Sequence, residues 1–108
     1  MVSTPNGTTS NALVVADTAH VIWAVNLGCL GLHLWPYRAE DPSHADELRI
    51  DLDPQPGTSF DEVRVAAAHV RALLGELGVA GYPKTTGNRG IHIYVRLEPR
   101  WDSFEVRA

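Results

Sequence analysis

The most constraining feature of the sequence is an amphipathic stretch that begins at Ser59 and ends at Gly78. Ser59 and Glu62 have the spacing of a capping box, in which each side chain binds the other residue's backbone N–H at the start of a helix. Apolar residues then recur at steps of three and four, the period of one helix face: Phe60, Val63, Ala67, Val70, Leu74 and Leu77. Gly78 is a typical C-terminal stop. The stretch therefore predicts a helix that buries one face.

Segments of alternating polarity lie on both sides of this helix. In residues 47–52 the leucines and Ile50 point one way, while Arg49, Asp51 and then Asp53 point the other. Prolines and a glycine end that strand in a turn. Residues 81–86 are expected to form a further strand, 87–90 a turn, and 91–97 a second alternating strand with its isoleucines on one side and His92 and Tyr94 on the other.

The first third of the chain has weaker signals. Residues 1–11 are rich in Ser, Thr and Asn and are expected to be a disordered leader, and residues 12–16 a short strand. A helix is expected from Asp17 or Thr18 to about Leu30 with Trp23 in the core, then a strand over 32–35 that Pro36 stops. Residues 37–45 are polar and are expected to be irregular. The order of elements predicts an α/β (α+β) fold, a central β-sheet with packed helices.

Composition excludes several classes of protein. The net charge of −4 and the pI of about 5.6 argue against binding to nucleic acid by bulk attraction alone. Cys29 is the only cysteine, so neither an internal disulfide nor a cysteine metal cluster forms, and a reducing, cytoplasmic setting fits. No apolar run approaches the roughly 20 residues that span a bilayer, so no membrane partner is expected.

Asp51 and Asp53 are the first candidates for chemistry. Two carboxylates at i and i+2 lie on one face of a strand, about 6–7 Å apart along the backbone. Oxygen ligands of this kind suit Mg²⁺ or Mn²⁺, which would relieve the repulsion between the like charges. An isolated D-x-D is common, and the alternative is an exposed strand that ends in a polar turn.

The second candidate is the segment from Lys84 to His92. Its two glycines let backbone N–H groups turn toward one point, as in an anion nest. Thr86 adds a hydroxyl, Arg89 a forked cation and His92 a ring donor, and together these groups suit a triphosphate. A solvated hairpin tip is the alternative. The spacing of a Walker-type loop is absent.

His33 stands between two leucines and beside Trp35, so a structural histidine is its default interpretation. Trp35 and Trp101 are weak candidates for base-stacking platforms.

Taken in order, these segments resemble the polymerase domain of bacterial non-homologous end-joining ligase (ligase D), in the archaeo-eukaryotic primase superfamily. The matching segments are 23–35 with His33, 49–54 with both aspartates, and 84–94 with His92. The spacing is similar too, with 18 residues from His33 to Asp51 and 41 from Asp51 to His92. The likeness runs from about residue 12 to the end of the sequence, so residues 12–108 are expected to be a partial primase-polymerase-like catalytic domain.

The resemblance implies roles for individual residues. Asp51 and Asp53 would be catalytic and would hold Mg²⁺ or Mn²⁺, and His33 would lie near the sugar of the incoming nucleotide. Thr86, where the family usually has serine, would contact the phosphates with Arg89 and His92. The implied partners are a nucleoside triphosphate, DNA ends, a DNA ligase and an end-binding protein.

The sequence also departs from the family pattern. The family's third metal-binding aspartate lies well beyond the second histidine, and Asp102 and Glu105 come too early to replace it. We therefore expect a truncated or partial nucleotidyltransferase that is inactive in isolation. The alternative is an inactive remnant that binds metal and nucleotide or docks on a repair partner.

Overall fold

A computed structural model describes the backbone of residues 2–3 and 7–108, and side chains from residue 7 onward. Within this part the fold is α+β, with three helices, a four-stranded antiparallel sheet ordered β3-β4-β6-β5, and a separate two-stranded pair, β1-β2. The elements are β1 Val2–Ser3, β2 Thr9–Ser10, α1 Thr18–Asn26, β3 Tyr37–Arg38, β4 Asp41–Leu52, α2 Phe60–Glu76, β5 Gly81–Thr85, β6 Ile91–Trp101 and α3 Ser103–Arg107. The predicted fold class is confirmed.

The two long central strands, β4 and β6, build the core. Their register places Ile50 opposite Ile93 and Leu48 opposite Val95. Ile93 and Val95 are each 3% exposed, and the alternating leucines of β4 pack against them. Because directly opposed residues share a face of an antiparallel sheet, one face of the β4–β6 pair is apolar from Leu48 to Leu52 and across the paired residues of β6, as the alternation predicts.

Helix α2 covers this apolar face. Its predicted capping box is confirmed: the Ser59 backbone N–H donates to Glu62 Oε2 at 2.7 Å, and the Glu62 N–H donates to Ser59 Oγ at 3.3 Å. Val63 and Leu74 are its buried residues. The helix ends where Gly78 adopts a φ of +70°, a conformation that favours glycine.

The hairpin of β3 and β4 corrects the prediction that residues 37–45 are irregular. Tyr37 pairs with Ala45, which is 1% exposed, and the chain turns tightly between Arg38 and Asp41. Arg38 donates a hydrogen bond to the Asp46 carboxylate, and this bond and charge raise the pKa of the guanidinium. The polar composition of this segment hid the hairpin, because Ala45 is the one buried residue in it.

The strands predicted at residues 12–16 and 32–35 are wrong: both segments are irregular. A strand needs a neighbouring edge to satisfy its backbone. The described sheet has two edge strands, β3 and β5. Strand β3 is only two residues long, and β5 contains Pro83 and so lacks one N–H donor.

Helix α1 also differs from its prediction. It ends at Asn26 rather than near Leu30, and only Ala24 is buried. Trp23, predicted to lie in the core, is 55% exposed. The prediction is wrong because the apolar positions of α1 find no packing surface in the described part of the chain.

The disordered leader predicted at residues 1–11 lies partly outside the described residues. Within that range, Val2 pairs with Ser10 and Ser3 with Thr9. The leader stays a prediction. No helix in the described ranges is long and apolar enough to cross a membrane.

Candidate metal and nucleotide site

The candidate site lies on the sheet face opposite α2. The alternation that points the isoleucines of β6 toward the helix points His92 and Tyr94 away from it. Asp51 pairs with His92 and Arg49 with Tyr94 across the central strands, and Lys84 of β5 pairs with His92 from the other side. Opposed residues share a face, so these five residues form one polar patch at the end of the sheet where β4 finishes.

Asp51 and His92 are in contact. His92 Nε2 lies 3.3 Å from Asp51 Oδ1, and the side chains are 27% and 53% exposed respectively. The carboxylate therefore meets a ring nitrogen on one side and solvent on the other. This position leaves Asp51 accessible to a cation or to a phosphate carried by one.

Asp53 follows β4 directly and joins the same patch through Gly90. A Cβ placed on Gly90 would meet Asp53 Oδ1 at 2.7 Å and the Leu52 carbonyl oxygen at 3.1 Å. Gly90 immediately precedes β6 and His92 is its second residue. Residues two apart along a strand share a face. Asp53 thus lies over the position where a side chain at residue 90 would stand, beside the Asp51–His92 pair.

The turn from Thr86 to Gly90 closes on itself. The Thr86 backbone N–H donates to the Gly90 carbonyl at 3.2 Å, and the Thr86 hydroxyl is 3.3 Å from both the Gly90 N–H and its carbonyl. Gly87 has a φ of +84°. Arg89 is exposed at the tip. Thr86 therefore fixes the shape of the turn that presents Arg89 and leads into His92.

His33 makes no contact with this patch through a hydrogen bond or ion pair among the described residues. It is exposed in the irregular segment between α1 and β3. Among the described residues, no hydrogen bond or ion pair links it to Asp51, Asp53 or His92. Its predicted role near the sugar of a nucleotide stays a prediction.

The donor set fits a hard divalent cation bound jointly with a ligand. The described residues contain no group of three or more His, Cys, Asp or Glu side chains placed to hold a metal. Mg²⁺, however, is commonly held by one or two carboxylates together with waters and substrate phosphates. Asp51 and Asp53 supply two carboxylates. A depression of about 310 Å³ beside them is lined on its other side by Glu62, Val63 and Ala66, so it opens toward the start of α2 and not on the open face of the sheet.

Asp102 and Glu105 are committed elsewhere. Asp102 is the N-cap of α3 and accepts hydrogen bonds from the backbone N–H groups of Phe104 and Glu105, while Glu105 accepts one from the Asp102 N–H. Both carboxylates therefore serve the helix terminus, and the expectation that neither replaces a third metal ligand stays a prediction.

Sequence reasoning missed two members of the patch, Arg49 and Tyr94. The Arg49 guanidinium carbon lies 4.9 Å from the centroid of the Tyr94 ring, and Arg49 Nη2 is 2.9 Å from Glu47 Oε1. The alternating pattern already placed both residues on the polar face. The pattern does not predict the strand register, which places Arg49 directly opposite Tyr94.

Comparison with known proteins identifies the class of this domain. A family model described as LigD, primase-polymerase domain, matches residues 1–108. The chain therefore belongs to the LigD primase-polymerase domain family.

Individual relatives support the same assignment. The chain is 32% identical over 93 residues to the bifunctional non-homologous end joining protein LigD of Bacillus subtilis, a match that covers 86% of this chain and 15% of that protein. It is 32% identical over 92 residues to the multifunctional LigD of Pseudomonas aeruginosa, covering 83% and 11%. For LigD of Mycolicibacterium smegmatis the identity is 33% over 94 residues, covering 85% and 12%. The chain thus spans a small part of the length of these relatives.

Proposed function

We propose that this chain supplies part of a metal-dependent nucleotidyl-transfer site for the repair of DNA double-strand breaks by non-homologous end joining. The observation that supports it is the convergence of Asp51, Asp53, His92 and the turn at Thr86 at one end of the open sheet face. The names of the related proteins give the repair pathway, and family membership gives the primase-polymerase class.

Each residue has a proposed role. Asp51 and Asp53 hold Mg²⁺ or Mn²⁺, which when bound neutralises phosphate charge and activates the attacking 3′-hydroxyl. His92 donates its ring N–H to a phosphate oxygen of the incoming nucleoside triphosphate. Arg89 adds a forked cation at the tip of the turn. Thr86 keeps the turn closed and offers its hydroxyl to the same phosphates, and His33 contacts the sugar.

The charge distribution constrains how DNA is bound. The net charge of −4 gives no bulk attraction to a polyanion. In this proposal a DNA end is attracted by the basic side chains between residues 84 and 100 and by the bound metal ions. A DNA ligase and an end-binding protein are the further partners we propose, in a cytoplasmic setting.

A second function rests on a specific observation. Among the described residues, no group of three or more His, Cys, Asp or Glu side chains is placed to hold a metal. This favours a module that binds metal and nucleotide, or docks on a repair partner, without turnover.

Metal binding is the first test. We expect Mn²⁺ to bind the purified chain in the presence of ATP, measured by the loss of free Mn²⁺ signal in electron paramagnetic resonance beyond the loss in a matched Mn²⁺–ATP solution without protein. Asp51→Asn or Asp53→Asn should weaken the binding at least about tenfold, since each removes one of two charged ligands. Glu98→Gln removes the same charge from an exposed position on β6 and is the control. Equal affinity in all four proteins would contradict the proposed site.

Nucleotide addition separates the two functions. A DNA end with a recessed 3′-hydroxyl is incubated with labelled ATP and Mn²⁺, with the chain alone and with a longer protein that carries this sequence. Extension that is lost in Asp51→Ala and Asp53→Ala supports the transferase. Binding of Mn²⁺ and ATP without extension in either protein supports the binding module.

A further inference from the structure

The open face of the sheet extends beyond the candidate site along the two strands β5 and β6. Tyr82 lies directly opposite Tyr94 in the register, and Lys84 lies opposite His92. Arg96 follows Tyr94 at a spacing of two residues and therefore shares its face. We call Tyr82, Lys84 and Arg96 the β5–β6 strip. It runs along the strands for about 13 Å, with the tyrosine between the two cations.

The two cations of the β5–β6 strip have no acidic partner. Glu47 lies directly opposite Arg96 in the register, but its Oε1 atom contacts Arg49 Nη2 at 2.9 Å. Among the described residues, no carboxylate lies within ion-pair distance of Lys84 or Arg96. Both side chains are exposed. The strip is therefore locally basic in a chain of net charge −4, and it suits a polyanion.

The tyrosine of the strip is open to solvent. Tyr82 is 65% exposed, and no ring or cation contact covers it among the described residues. Its partner Tyr94 is half-buried, and the Arg49 guanidinium carbon lies 4.9 Å from the centre of that ring. An uncovered aromatic ring beside cations is the usual platform for an unpaired base, because every base has an aromatic face and is joined to phosphates on both sides.

We propose that the β5–β6 strip binds an unpaired DNA strand, with one base stacked on Tyr82 and the neighbouring phosphates bound by Lys84 and Arg96. The inference deepens the proposed function and rests on it for the kind of polynucleotide, since a DNA end is the proposed substrate. The strand then runs along β5 and reaches the candidate site where Lys84 lies opposite His92. The carboxylates of β4 lie on the far side of β6 and repel phosphates toward β5.

Fluorescence anisotropy of a labelled oligothymidylate of about ten nucleotides tests the stacking contact. The buffer contains EDTA and salt at about 50 mM, where phosphate contacts are strong. We expect Tyr82→Leu to weaken binding at least about fivefold, the lower limit for the loss of one stacked base. Tyr82→Phe keeps the ring and should retain the wild-type affinity. Phe104→Leu removes a ring of similar exposure, 67%, from α3 and is the control.

The salt dependence of the same binding tests the phosphate contacts. Lys84→Gln and Arg96→Gln should each reduce the slope of log affinity against log salt by about 0.7, the contribution of one phosphate contact on a single strand. Arg71→Gln removes the same charge from an exposed position on α2 and should leave the slope unchanged.

Three results would overturn the inference: equal affinity of wild type and Tyr82→Leu, an unchanged salt slope in both charge variants of the strip, or no binding by the folded wild type. The last result would leave the strip as a surface for another protein segment. If Tyr82→Leu does not fold, an abasic oligonucleotide decides, because wild type should bind it at least about fivefold more weakly than oligothymidylate, and equal affinity would exclude stacking. Since the assay contains no free metal, its failure counts against the strip, whereas failure of Mn²⁺ and ATP to bind counts against the proposed function.

Discussion

Gly90 is the residue whose identity the candidate site constrains most tightly. Any side chain there would enter the space that the Asp53 carboxylate and the Leu52 carbonyl oxygen now occupy. Its φ is not positive, so the backbone conformation itself permits other residues. Glycine is required at this position because the Asp53 carboxylate and the Leu52 carbonyl oxygen leave no room for a Cβ. The turn after β5 is thereby linked to the position of a proposed metal ligand.

Replacement of Gly90 by alanine should therefore affect the site more than the fold. We expect Gly90→Ala to displace the Asp53 side chain and weaken Mn²⁺ binding about tenfold, the size of effect seen when the support of a metal ligand is lost. The free energy of unfolding should change by less than about 1 kcal/mol. Gly31→Ala is the control, because a Cβ there meets nothing within 4 Å. Equal Mn²⁺ affinity in both variants would show that Asp53 is not held through Gly90.

The sequence predicted the elements that carry their own signals. Helix α2 is marked by a capping box and a regular apolar period, and β4 and β6 by strict alternation, so their existence and their buried faces followed from local chemistry. The hairpin at residues 37–45 was missed because its side chains are mostly polar and Ala45 is its one buried residue, and the strands at 12–16 and 32–35 were wrong because apolar content does not supply a partner edge. In the site, the polar face could be predicted, but the contact of Asp53 with Gly90 depends on register.

The start of α2 should be a measurable source of stability. Ser59→Ala removes one half of the capping box, and we expect the free energy of unfolding to fall by about 1 kcal/mol, as for other N-cap serines. Urea denaturation monitored by circular dichroism measures it. Ser43→Ala, at an exposed position on β4, should cost much less. An unchanged urea midpoint for Ser59→Ala would mean that the cap is dispensable.

Helix α2 packs closely against the sheet at Gly81. A Cβ at this position would meet Leu74 Cδ1 at 2.6 Å and Ile93 Cγ2 at 3.0 Å. We expect Gly81→Ala to destabilise the chain by about 1–3 kcal/mol, because the core must shift to admit the methyl group. Gly75→Ala, in α2 itself with nothing within 4 Å, should stabilise by about 0.5–1 kcal/mol. Thermal unfolding of the two variants should therefore shift in opposite directions.

On the scale of the whole molecule, apolar side chains are unevenly covered. Those between β4, β6 and α2 are buried, whereas many between residues 13 and 35 face solvent, with Leu30 96% exposed. An exposed apolar surface of this kind marks a contact with another chain or segment, or a tendency to aggregate.

Tryptophan fluorescence can test this arrangement. Trp23 and Trp35 are more than half exposed, and Trp101 is 39% exposed. We expect emission typical of hydrated indole and efficient quenching by acrylamide. Trp101→Phe should leave most of the quenchable signal. A blue-shifted spectrum that resists quenching would show that residues 13–35 are covered in solution.

The pairing of β4 with β6 has a consequence for folding fidelity. The period of a strand is two residues, so a one-residue slip would turn Asp51 toward the helix and Ile50 toward water. The burial that drives the two strands together is satisfied only when the carboxylate faces outward. A chain that reaches its most stable pairing has therefore also assembled the Asp51–His92 contact. A chain paired in the wrong register would lose both its buried apolar face and this contact.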